Sequence, residues 1–126
     1  LGLITNMTPL PKIENELHES FAYKIVKHWK PEFKSNININ QQIPINYQRP
    51  LDKFLRLDGS FLIETNIDNF DLQNKIFLVG YIGPGKEDKY STPLRFIEIE
   101  SEHDEPDTYG IVIIANQIRT ILEHKE

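Results

Sequence analysis

Three groups of residues have types and spacing that bear on chemistry. Gly80-Tyr81-Ile82-Gly83-Pro84-Gly85-Lys86-Glu87 comes within one residue of the phosphate loop G-x-x-x-x-G-K-[ST], and it follows an apolar run, where such a loop belongs. Glu87, however, stands where a hydroxyl would hold magnesium, and it puts negative charge where phosphate would sit. Pro84 removes one N–H of the cradle, and Asp88-Lys89-Tyr90-Ser91-Thr92-Pro93 does not open a helix. The expected role is a tight turn leaving a strand. The second group is acidic: Glu98, Glu100, Glu102, His103, Asp104, Glu105 and Asp107. A calcium loop needs oxygen ligands around a central glycine, and no glycine lies between Gly85 and Gly110, so a solvated loop is expected. The third group is Ser91 and Thr92 with His103 within a loop's reach, but no nucleophile motif surrounds them. His18 and His28 lie ten residues apart, too far along a helix for a shared metal, which asks for a spacing of three or four. No catalytic group, no metal site and no cofactor are expected.

The elements that position these residues follow from periodicity. The run Ile76-Phe77-Leu78-Val79-Gly80-Tyr81-Ile82 ends in glycine and proline and predicts a buried strand. Apolar residues at 111, 114, 115, 118, 121 and 122 predict a helix over about 110–124 with one apolar face, and Arg119, His124 and Lys125 suit its C-terminal dipole. A first helix is expected over about 14–30. Leu17, Phe21 and Ile25 form its stripe, Ala22, Val26 and Trp29 widen it, Lys24, Lys27 and Lys30 mark the wet side, and Pro31 is the stop. Residues 1–6 suit an edge strand that Pro9 and Pro11 interrupt. Residues 35–42 read as an exposed, amide-rich connection. Ile43, Ile45 and Tyr47 point to one face of a strand that Pro44 confines to an edge. Asp58 suits the N-cap of a helical piece over 59–66, a second turn is expected across 69–74, and Phe96-Ile97-Glu98-Ile99-Glu100 alternates like a short edge strand. The fold class is therefore α/β: a small mixed sheet flanked by an N-terminal and a C-terminal helix, in one domain over 1–126.

Composition bounds the partners. The chain has 126 residues, 39% hydrophobic and 26% charged, enough for one modest core. The net charge of −5 argues against nucleic acid, which needs a basic face. There is no cysteine, hence no disulfide framework or thiolate metal site. No apolar run approaches the roughly 20 residues of a membrane span, and Leu1-Gly2-Leu3-Ile4 is no signal peptide. With no initiator methionine, the chain is expected to be a portion of a longer protein.

From residue 43 onward the order of motifs resembles that of the CHASE2 family, the second type of cyclase- and histidine-kinase-associated sensory extracellular domain. The carriers are Lys75-Ile76-Phe77-Leu78-Val79-Gly80, the loop acid Asp88, Thr92-Pro93-Leu94 and Gly110-Ile111-Val112-Ile113-Ile114-Ala115-Asn116, with Ile45-Asn46-Tyr47 ahead of the Gln48-Arg49-Pro50 turn. Ser20-Phe21-Ala22 resembles the segment that opens the family's preceding helix. Ile114 stands where many members have histidine, so no ligand role passes to it; the gap between Thr92-Pro93-Leu94 and Gly110 is longer here and filled with acids. The resemblance implies the C-terminal portion of a larger sensor domain: a non-enzymatic, extracytoplasmic module of a bacterial signalling protein, joined to the membrane through segments outside this chain. It implies a small ligand or protein as partner, allows a homodimer, and offers Gly80, Asp88, Thr92, Pro93 and Asn116 as ligand-site candidates. The competing expectation is a soluble interaction domain that docks a basic partner through the acidic loop 98–107.

Overall fold

The computed structural model describes residues 2–64, 72–85, 87–96 and 107–126. The chain begins with β1 (Asn6–Met7), then a hairpin of β2 (Lys12–Ile13) and β3 (Glu16–Leu17), then helix α1 (Phe21–Trp29). Strand β4 (Ile43–Pro44), a 3-10 turn (Leu51–Lys53) and the short helix α2 (Gly59–Glu64) follow. The last third holds β5 (Lys89–Tyr90), a 3-10 turn (Pro93–Phe96), β6 (Thr108–Tyr109) and helix α3 (Gly110–Glu123). The α/β class and the two flanking helices stand as the sequence implies. The strands form antiparallel pairs among the described residues: β1 with β4, β2 with β3 and β5 with β6.

The first helix starts later than the stripe suggests, because residues 12–17 form a hairpin. Glu14 and Asn15 both take positive φ, 51° and 66°, which is the two-residue turn that matches the twist of the flanking strands. Ser20 then caps α1, accepting from the Tyr23 N–H at 3.2 Å. The buried face is also rotated from the expected one. Ala22, Tyr23 and Val26 are buried and Ile25 is half-buried, while Phe21 is 65% exposed and Leu17, in β3, is 54% exposed. Lys27 is not a wet-side residue: its Nζ donates to the carbonyls of Pro31 and Phe33 at 2.9 and 2.8 Å, closing the C-terminal end of α1.

The connection over 35–42 does more than cross solvent. Ile37 is buried, and Asn40, at φ 61°, accepts from the Lys12 N–H through Oδ1 at 2.7 Å and donates its own N–H to the Leu10 carbonyl at 2.9 Å. An asparagine tolerates this left-handed backbone and fastens the hairpin. Ile43, Ile45 and Tyr47 are all buried, as alternation requires, and Ile45 N–H extends the β1–β4 ladder to the Thr5 carbonyl.

Helix α3 is the hub. Before Glu123 none of its residues is exposed, whereas the sequence suggested a single apolar face. Val112, Ile113, Ile118 and Ile121 join Met7, Tyr23, Val26 and Ile43 in one core, and α1 packs on α3. Asn116 and Thr120 are fully buried on the same helix. The helix also stops cleanly. The His124 N–H bonds the Ile121 carbonyl, and residues 124–126 then run beside 34–36: Asn36 N–H donates to His124 and Glu126 N–H to Lys34, each at 2.9 Å.

The apolar run 76–82 is not a buried, paired strand. No turn or bend interrupts 75–83, yet none of its backbone groups from 76 to 82 joins a backbone ladder among the described residues. Even-numbered Ile76, Leu78 and Ile82 are half-buried, whereas Phe77, Val79 and Tyr81 are 51%, 98% and 46% exposed. The expected turn across 69–74 and the end of the helical piece at 65–66 fall partly or wholly outside the described residues, as does the alternating segment beyond Phe96.

Candidate functional site

The glycine loop is closed by phenols. Tyr81 donates its hydroxyl to the Pro84 carbonyl at 2.8 Å, and Tyr109 donates to the Gly83 carbonyl at 2.5 Å. Gly85 needs its flexibility at φ 94°. The chain then enters β5, so the helix N-terminus that would hold a phosphate is replaced by a strand.

The five candidate positions gather around α3 and its flanks. Gly80 lies so close to the first turn that a Cβ there would meet Ile111 Cδ1 at 2.9 Å and Ile111 Cβ at 3.1 Å. Asp88 takes a positive φ of 55°; its carbonyl accepts from Gly110 N–H at 2.8 Å, and its carboxylate lies over Gly110. Negative charge is favourable at that helix start. Thr92 is fully buried. Its N–H donates to Asp107 Oδ1 at 3.0 Å, its hydroxyl meets Thr108 Oγ1 at 2.6 Å, and it accepts from the Leu94 N–H at 3.2 Å. Thr108 in turn donates to Asp107 Oδ2 at 2.9 Å. Pro93 begins the 3-10 turn that follows. Asn116 binds a segment distant in sequence: Nδ2 donates to the carbonyls of Arg49 and Val112 at 3.0 and 2.9 Å, and Oδ1 accepts from Arg49 N–H at 3.3 Å.

Two of the five border one groove. Gly80 and Asp88, with Ile25, Leu78, Ile111 and Ile114, border an open groove of about 720 Å³ between α1, the 76–80 run and α3. The lining is mostly apolar. Thr92, Pro93 and Asn116 are absent from that lining; Thr92 is bonded to Asp107 and Thr108 just ahead of α3, and Asn116 ties α3 to Arg49.

Several residues were not legible as participants. Thr120 accepts the Asn46 N–H at 2.9 Å, one turn beyond Asn116, so two polar side chains of α3 dock the stretch after β4. Asn46 Nδ2 adds a bond to Glu123 Oε2 at 2.9 Å. The only signal was polar residues four apart within an apolar helix. Asp107 was grouped with solvated acids, but it is half-buried and organises the threonine knot. Tyr47 is buried with its hydroxyl unpartnered among the described residues. Burial, and second the negative charge of Asp107, push its phenol up from 10.0 to about 12.

His18 and His28 are exposed, and no cluster of metal-ligating side chains occurs among the described residues. The rest of the acidic loop and His103 lie outside the described residues. No helix among those described is long and apolar enough to cross a membrane.

The arrangement is a helical hub, tied to its neighbours by buried amide and hydroxyl groups and bordered by an apolar groove. The chain belongs to the CHASE2 domain family, whose family model matches residues 3–126. The match therefore takes in the first 35 residues, where the motif resemblance was thin. CHASE2 is a family of sensory extracellular domains in signalling proteins, not a catalytic family. No curated protein and no solved structure matches the chain.

Proposed function

We propose that this chain is the extracytoplasmic signal-input domain of a bacterial transmembrane signalling protein, and that it has no enzymatic activity of its own. Membership of the CHASE2 family is the observation that carries the reading. The geometry supports a mechanism. A small ligand or a protein segment in the groove would touch α1, the 76–80 run and α3 at once. It can bias two packings of these elements only by its differential affinity for them. Because 124–126 are bonded to 34–36, a displacement of α3 carries with it the chain that follows α1. The C-terminal helix then passes the shift toward the membrane, with its end steadied by the bonds between 124–126 and 34–36.

The test is a topology reporter in the intact protein. Alkaline phosphatase, active only outside the cytoplasm, is joined after Glu126, and β-galactosidase, active only inside, is joined at the same place. Phosphatase activity alone is expected. Activity of the galactosidase alone would place the domain in the cytoplasm and end the proposal.

A further inference from the structure

We infer that the ligand of the groove is an amphipathic organic anion, a carboxylate on a short apolar chain. Its head docks among Lys24, His28 and Trp29 of α1, and its chain lies over Ile25 and Ile76. The inference names a ligand class for the sensor proposed above and rests on that reading for its purpose.

The groove abuts a second cleft at Ile25 and Ile76, which border both. Lys24, His28 and Trp29 line this cleft from α1, and Lys75 borders it from the start of the 76–80 run. Residues 24, 25, 28 and 29 share one helix face by their spacing, so the donors and Ile25 are presented together. Lys24 and His28 are exposed, Trp29 is half-buried, and Ile25 and Ile76 keep part of their apolar surface open. The ammonium of Lys24, the ring N–H of His28 and the indole N–H of Trp29 are all donors, and none of these side chains makes a hydrogen bond or ion pair among the described residues. A carboxylate accepts from such groups, and an apolar floor beside them suits the chain that carries it.

Charge gives the ligand its sign. The chain has 19 acids and a net charge of −5, yet no acid occurs from 20 to 31 or from 72 to 83. A solvated helix face in an acidic chain ordinarily mixes the signs. The helix dipole does not explain the exception. Lys27, in the last turn, is spent on the Pro31 and Phe33 carbonyls, while Lys24 stands in the first half of the helix, where a cation gains nothing from the dipole. Lys30 adds a further cation at this end, its Nζ 4.5 Å from the centroid of the Trp29 ring. The groove ends in the opposite sign, at Asp88 beside Gly80 and Gly110. An anionic head therefore points to the α1 end, and the chain runs from it toward α3.

Trp29 is the only tryptophan of the chain and reports on the cleft directly. The test is a fluorescence titration of the intact protein with octanoate, with the Trp29 signal taken as the difference between wild type and Trp29→Phe. A saturable change is expected. Hexanoate should bind severalfold more weakly, since each buried methylene contributes up to about fourfold. Octan-1-ol, the same chain without charge, should bind at least about tenfold more weakly, the contribution of one charge-assisted hydrogen bond. Lys24→Glu should weaken octanoate by a similar factor, whereas Lys53→Glu, on an exposed lysine away from both clefts, should leave it unchanged. Octanol binding as tightly as octanoate overturns the proposal, as does Lys24→Glu binding like wild type. A response to vesicles of phosphatidylglycerol and phosphatidylcholine with none to dissolved octanoate also overturns it, because the patch then faces a membrane. The absence of any saturable change at Trp29 removes the ligand class, while the topology reporter still judges the sensory reading by itself.

Discussion

Replacing Asn116 removes the join between α3 and the stretch after β4. In Asn116→Ala the carbonyl and N–H of Arg49 both lose their partner. Each unpaired polar group costs about 1–3 kcal/mol when buried, and Arg49 is half-buried, so the lower part of that range applies. Alanine returns roughly 0.5 kcal/mol of helix propensity. The net loss is about 1.5–2.5 kcal/mol, a large part of the roughly 5–15 kcal/mol typical of a domain, and melting should fall by roughly 5–12 °C. Asn116→Asp sharpens the test through pH. Its carboxylate would face the carbonyls of Arg49 and Val112 with no proton to donate, so the fold favours the protonated acid and raises its pKa above the unfolded value of about 3.9. A raised folded pKa means that the native state binds the extra proton. The variant is therefore closest to wild type below the unfolded value and loses stability as pH rises through the folded one. Urea unfolding followed by circular dichroism at several pH values measures both effects. An Asn116→Ala variant within about 0.5 kcal/mol of wild type would refute the account of the join, since the residue would then be an ordinary helix position.

Tyr47→Phe removes a buried hydroxyl that has no partner among the described residues, and should be neutral or stabilise by roughly 1 kcal/mol in denaturant titration; a clear loss would reveal a bond to that oxygen. The same variant should change the alkaline limb of stability. With the phenol raised from 10.0 to about 12, the wild-type fold loses stability as pH rises through that window, by roughly 2–3 kcal/mol in total, and the variant should lack this component. Thr92→Val keeps the shape but leaves the Leu94 N–H and the Thr108–Asp107 pair without the Thr92 hydroxyl, so it should cost about 1–3 kcal/mol, with Thr92→Ser recovering most of it. Gly80→Ala drives a methyl against Ile111, including its Cβ, which a rotamer change cannot move aside; a loss of about 1–3 kcal/mol in thermal unfolding is expected.

The sequence by itself determined the α/β class, the closing helix almost to the residue, the burial of Ile43, Ile45 and Tyr47, and the unlikeness of the glycine loop to a phosphate site. It could do so because these depend on local period and on which atoms a residue carries. It also held the start of α1 in Ser20, a cap residue, but the apolar stripe running back through Leu17 outweighed that local signal until Glu14 and Asn15 were seen in a turn. What a side chain does for a segment 67 or 74 residues away, as Asn116 does for Arg49 and Thr120 for Asn46, has no period, and only the tertiary structure decided it. The same holds for Asp107, which composition assigns to a charged loop and packing assigns to the threonines. Strand propensity marked 76–82 as a strand, but pairing belongs to two segments at once, and the partner is not written in either one alone.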